Sequence, residues 1–504
     1  MTADLLLRNV RVHGAPPHHD AVAISGERIS WIGIAREAGP AGRVLNAGGA
    51  LLTPAFVDAH VHATATGIAL GGLDLTGSRS LAEAMERLHS FCTAHPGMHV
   101  IGHGWDETGW PEGRAPTRHD LDHASRGAVV YLTRIDVHSA IASTALINAV
   151  PDLRIKDGFE PAGWLRRDAH HAARAHALES ISDEQRLHAQ RLTRRRAAQL
   201  GIGSFHELGG PQISSPADFA GLLALAAREP GTHVVGYWGE LGGIERAREL
   251  GALGAAGDLF ADGAIGSHTA CLRAVYADEE HTGAAYLTAA QIRDHVVACT
   301  RAGLQAGFHV IGDGAMDLVV AGFREAERQV GLEALRSARH RLEHVEMVDD
   351  AALRMLAQLR VYASVQPVFD ALWGGTSGMY AERLGRARAA EMNPYRTMSD
   401  LGVLLAFGSD SPVTPLDPWG TVRAAVHHRT PQERIPVAAA FAAHTVGGWS
   451  AAKLDGRGRI SVGAPAYLAV WDVPEFPDLA GDGRLPKCRL TIVAGQAVFH
   501  DGSW

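Results

Sequence analysis

One rhythm recurs eight times in this chain and limits its fold more than any other feature: a short apolar run ending in polar residues, a helical stretch, then the next run. The runs are "AFVDAHVH", "GIGSFHEL", "THVVGYWGE", "GDLFADGA", "QAGFHVIGD", "RHRLEHVEM", "VYASVQPV" and "GVLLAFGSD". Strands buried on both faces read as nearly continuous apolar runs, and stretches between them, such as "EQRLHAQRLTRRRAAQL" and "AAQIRDHVVACTRAG", read as helices. Eight β/α units in succession predict an α/β fold, a (β/α)8 TIM-like barrel, whose reactive residues sit at the carboxyl ends of the strands.

The two chain ends have a different texture. Residues 4 to 50 alternate β-rich runs with Gly, Pro and Asn breaks, and the tail from about 456 does the same. This organisation predicts a small β-sandwich domain built from residues 1–52 and 456–504, with the barrel over 53–455. An extra segment after the first strand, roughly 75–183, is long enough for an inserted lid or substrate subdomain.

A formal charge of -8 and a pI near 6.4 give no basic surface for nucleic acid, and the Arg-rich run "RLTRRRAAQL" reads as a solvated helix face. Neither a membrane span nor a signal peptide is visible, so a cytoplasmic protein is expected. Cys92, Cys271, Cys299 and Cys488 are scattered without C-x-x-C spacing and read as free thiols. The G-x-S-x-G elbow of a catalytic triad is missing, and "GDGAMDLVV" is no phosphate loop.

"PAFVDAHVHA" carries His60 and His62 two positions apart, so on an extended strand both rings share a side. His309 ends the fifth run, His344 the sixth and Asp410 the eighth. Each residue alone is as easily a hydrogen-bonded core or loop residue. A closed barrel, however, gathers strand ends around one axis, and four imidazoles with a carboxylate suit one or two borderline divalent ions. Gln366, at the end of the seventh run, would donate to a substrate carbonyl or else orient a ligand histidine. Asp262 and Gly263 shape the fourth loop.

These residues carry a family resemblance. The chain resembles the amidohydrolase superfamily, in the branch that includes N-substituted formamide deformylases, through "PAFVDAHVH", "GWDETGW", "FADGAIGSHTA", "HVIGDGA", "RLEHVEM", "SVQP" and "GSDSPVTPLDP". The resemblance implies that His60 and His62 bind one metal, that His309 and His344 bind a second, and that Asp410 touches the first metal and the reacting water. It also implies pocket roles for Trp105, Asp106, Glu107 and His138. For the first three, anchoring the insertion or capping a helix is the competing reading. A homodimer is expected only because oligomers are common among similar proteins.

Two positions depart from that pattern. Similar proteins carry a lysine, whose carbamate bridges two metals, where this chain has Asp258, and His268 stands where arginine is frequent. Asp258 is shorter than a carbamylated lysine and is not expected to span two ions easily. Compensation by Asp258 or His268, leaving a single tightly held metal, is one expectation; solvent-facing or supporting roles are the other.

The chemistry expected is hydrolysis of a C–N bond in an amide, formamide or cyclic amide by metal-activated water. Asp410 would shuttle the proton, and zinc is the first candidate ion, with manganese or iron as alternatives. Deamination, decarboxylation or isomerisation on the same scaffold, or a non-catalytic binding role, are the competing readings. The partner expected is a small-molecule substrate, with no nucleic acid and no membrane.

Overall fold

The computed structural model describes residues 2–134, 139–179, 181–479, 481 and 483–503. They form two compact units, residues 1–62 with 194–504, and residues 63–193.

In the first unit an eight-stranded parallel sheet forms the barrel. Its strands are Phe56–Val61, Ile202–Gly209, His233–Trp238, Gly254–Ala255, Gln305–Val310, Arg341–His344, Tyr362–Val365 and Leu404–Phe407, each beside the next in chain order. The first and last strands meet through a parallel bridge between Val61 and Ser411. There Asp410 N donates to His60 O at 2.8 Å, and His62 N donates to Ser411 O at 2.9 Å. Glycine is required at this seam, because a Cβ on Gly408 would stand 2.6 Å from His60 N and 2.8 Å from its Cβ. Asp58 ties the same seam from inside, its Oδ1 accepting from Ser409 N at 2.9 Å and His60 N at 3.2 Å.

Six of the eight predicted runs contain their strand, and the second stops one residue short of Gly209. The fourth misses its strand: the strand is Gly254–Ala255, before "GDLFADGA" begins. Residues 257–263 instead form a loop beside the fifth strand. One Phe260–His309 bridge and the bonds His309 N to Leu259 O and Ala261 N to His309 O hold it there. Leu259 and Ala261 are buried by that packing and Phe260 partly so, which is why the loop reads as a strand.

The chain ends meet in one seven-stranded sheet, where Ala41–Pro54 pairs in parallel with Ala3–Val12 and antiparallel with Leu468–Trp471. Alternation along Leu5, Leu6 and Leu7 sends successive side chains to opposite cores. The edge strand Arg28–Gly33 bonds back to residues 463–466, with Ile29 N donating to Ala464 O at 2.9 Å, so the sheet folds over a core shared by both ends. Within the Arg-rich run, Arg195 and Arg196 are exposed as expected, but Arg194 is buried. Its guanidinium donates to the carbonyls of Thr232 at 3.1 Å and Glu229 at 2.8 Å.

The 63–193 unit extends beyond the 75–183 segment at both ends. It has its own five-stranded sheet, formed by Leu73–Asp74, Val100–Trp105, Val130–Arg134, Ser139–Ala142 and Trp164–Arg166. Helix Leu81–Ala94 starts where the Ser80 side chain accepts from Glu83 N, and a Thr117–Asp120 capping box starts Arg118–Ser125. Both bury their apolar faces with Leu73, Trp105 and Leu132. Among the described residues, no helix is long and apolar enough to cross a membrane.

Candidate metal centre

The barrel brings together His60, His62, His309, His344, Asp258 and Asp410. Ligand atoms of His60, His62, Asp258 and Asp410 lie within 4.8 Å of one another, and those of Asp258, His309 and His344 form a second such group. His344 and Asp410 sit in left-handed backbone conformation, at φ 71° and 56°. That region disfavours side chains by about 1–2 kcal/mol and is tolerated where surrounding contacts fix it. Here the turn lies at the carboxyl end of each strand, where both side chains join the ligand group.

Each imidazole is oriented by a partner on its other nitrogen. His62 Nδ1 donates to Leu208 O at 3.0 Å, and His309 Nε2 donates to Gly263 O at 3.2 Å. His60 Nδ1 faces Glu343 Oε2 at 3.1 Å, and His344 Nδ1 faces Gln366 Oε1 at 2.8 Å. All four partners are acceptors, so each ring keeps a lone pair on the nitrogen turned inward. Those lone pairs face carboxylate oxygens. His60 Nε2 and His62 Nε2 are each 3.2 Å from Asp258 Oδ2, and 3.3 and 3.1 Å from Asp410 Oδ1. His309 Nδ1 and His344 Nε2 are each 3.7 Å from Asp258 Oδ1.

Acceptors that face acceptors in a buried site need a metal ion or a second ring proton between them. Asp258 Oδ1, His309 Nδ1 and Asp410 Oδ1 are buried without a hydrogen-bond partner, which fits this donor set to a divalent metal. Burial works against charge on Asp410, but the nearby His60 and His62 outweigh it and hold its carboxyl well below the usual range. Burial lowers the His62 pKa, yet Asp258 and Asp410 outweigh it and raise it to about 10, so without an ion the ring carries a second proton in the place a metal would take.

Glu343 was not apparent in the sequence. Its carboxylate, fully buried, accepts from Arg341 Nε at 2.6 Å and Arg341 Nη2 at 3.0 Å while it orients His60. Arg341 also donates to His206 Nδ1 and Ala59 O, so a buried polar chain crosses the barrel interior. Gln366, at 2% exposure, has its Oε1 against His344 Nδ1.

His268 is not in either ligand group; its Nε2 lies 3.1 Å from both Asp278 oxygens. In the 63–193 unit Trp105 is fully buried in the core and donates to Leu132 O at 2.9 Å. Asp106 and Glu107 pair with Arg134 at 3.1 and 3.0 Å. His138 lies outside the described residues.

The Amidohydrolase family model matches residues 43–499. The chain belongs to the amidohydrolase family. This amidohydrolase is 26% identical to Protein LONG AFTER FAR-RED 3 of Arabidopsis thaliana, with 99% of this chain and 92% of that protein covered. It is 23% identical to N-substituted formamide deformylase of Arthrobacter pascens, covering 99% and 98%. An uncharacterized metal-dependent hydrolase from Pyrococcus furiosus shares the fold with a TM-score of 0.78 at 26% identity, covering 93% of this chain and 99% of that one. Family and fold together make the protein a hydrolytic enzyme with a candidate His/Asp metal site.

Proposed function

We propose that this amidohydrolase cleaves a C–N bond in a small amide, formamide or cyclic amide, with Asp410 as the proton shuttle. The observation that carries the reading is the convergence of four imidazole lone pairs on two buried carboxylates. A divalent ion, zinc first, held by His60, His62, His309, His344, Asp258 and Asp410 would supply a Lewis acid and draw the pKa of water towards about 7.

Asp410 Oδ1 is free of hydrogen-bond partners and faces the ligand cluster, placed to take the proton of the attacking water as its oxygen bonds to the carbonyl carbon. The same oxygen then returns that proton to the nitrogen as the C–N bond breaks, so the amine leaves neutral. The seam bond from Asp410 N to His60 O keeps the carboxylate in register with the ligands. The formamide deformylase relative makes N-formyl amines the first substrates to test.

The test is turnover of N-formyl amines, N-acyl amines and lactams by metal-loaded protein, together with an Asp410→Asn variant. The variant should fold normally and lose about 100-fold or more of the turnover. Full activity in that variant refutes the shuttle. Protein that stays inert on every C–N substrate after zinc or manganese loading refutes the activity.

A further inference from the structure

Resting on the metal-dependent reading above, we propose that Asp258 bridges two divalent cations with its unmodified carboxylate. Oδ2 would meet the ion of His60, His62 and Asp410, and Oδ1 the ion of His309 and His344. The centre would then be dinuclear, and its assembly would need no carbon dioxide.

The geometry separates the two oxygens. Oδ2 is 3.2 Å from both His60 Nε2 and His62 Nε2, and Oδ1 is 3.7 Å from both His309 Nδ1 and His344 Nε2. Two ligands each about 2.1 Å from one ion stand about 3.4 Å apart at the tetrahedral angle and about 3.6 Å apart at 120°. Both halves of the site match that spacing. The second half is decisive, because 3.7 Å is too long for a hydrogen bond. Asp258 Oδ1 and His309 Nδ1 are accordingly both buried without one. A proton shared across that gap satisfies neither atom, whereas a cation satisfies both.

A short carboxylate can reach both sides because the fourth strand ends early. Gly254–Ala255 is followed by Gly257 at φ 97°, which turns Asp258 inward at 6% exposure. Among the described residues, Asp258 is the one common to both ligand groups. The chain has three lysines, Lys156, Lys453 and Lys487. Lys487 is in the end sheet, where its N–H bonds Asp472. Lys453 lies beside Arg339, at the amino end of the sixth strand and so opposite His344.

The test is metal content and magnetic coupling in full-length protein loaded with Mn(II), in buffer stripped of bicarbonate and in buffer containing it. Two equivalents per chain with an exchange-coupled pair signal, equal in both buffers, is the expected result. In Asp258→Asn the coupling should vanish and the content fall to one equivalent or less. One equivalent in wild type, two uncoupled ions, or loading that requires bicarbonate overturns the bridge and leaves the hydrolase reading standing. No bound metal under any condition overturns both. The wild-type comparison between buffers decides the matter if the variant does not fold.

Discussion

Glu343 stands at the point where the stability of the barrel and the aim of its ligands meet, and Glu343→Gln separates them. Both Glu343 and Arg341 are fully buried and paired at 2.6 Å. Removing one partner of such a pair leaves an uncompensated charge, at about 3–5 kcal/mol. A second route agrees. Burial raises the Glu343 pKa, but Arg341 and His60 outweigh it and bring it to about 2. Against an ordinary value near 4.5, that depression corresponds to about 3 kcal/mol. The stabilisation is full above about pH 4.5 and lost as pH falls through about 2. Glutamine also offers one acceptor oxygen where glutamate offers two, so His60 loses its fixed tautomer and metal affinity should fall about 10- to 100-fold.

Urea unfolding gives the first quantity, and competition with a chelator gives the second. The double variant Arg341→Met with Glu343→Leu removes both charges. It should recover most of the stability while affinity stays low, because His60 still lacks its acceptor. A Glu343→Gln protein as stable as wild type and equally avid for metal refutes the assignment of both roles.

Gly408→Ala drives a methyl into His60 backbone, so it should destabilise the protein by about 1–3 kcal/mol and weaken metal binding. Gly221→Ala, in helix Pro216–Arg228 with nothing within 4 Å of the added carbon, is the control and should be neutral or slightly stabilising. Trp105→Ala should cost the 63–193 unit about 3–5 kcal/mol, read as faster amide exchange in Val100–Trp105 and Val130–Arg134; unchanged exchange there contradicts its anchoring role. Burial lowers the His340 pKa to about 3, so the fold holds it neutral. Its contribution is complete above about pH 6.5 and is lost as pH falls towards 3, about 2 kcal/mol by pH 5. His340→Gln should flatten that part of the pH dependence of urea unfolding.

The barrel was legible because most of its strands are buried on every side and therefore read as apolar runs. The fourth strand was not: Gly254 and Ala255 carry no bulk to signal a strand, while Leu259, Phe260 and Ala261 are apolar because a loop packs them. His60, His62, His309, His344 and Asp410 stood out as a set, because a closed barrel gathers ligand-type side chains from several strand ends around one axis. Their supports did not. Leu208 O and Gly263 O are backbone acceptors without a residue signature. Arg341 and Glu343 share a side of their strand by alternation, but pattern reading fills a barrel interior with apolar residues. The two-sided reach of Asp258 was hidden as well, since it depends on where a strand stops rather than on side-chain length.

The seam between the first and last strands makes the site a late product of chain synthesis. Asp58 and Ser409 are 351 positions apart, yet one hydrogen bond joins them. A growing polypeptide therefore exposes His60 and His62 long before Asp410 exists to complete their cluster. Closing so long a loop adds little to the equilibrium free energy, since that term grows only logarithmically, but distant pairings form slowly. An incomplete or misregistered chain consequently lacks the full ligand set, and tight retention of an ion reports that the barrel has closed.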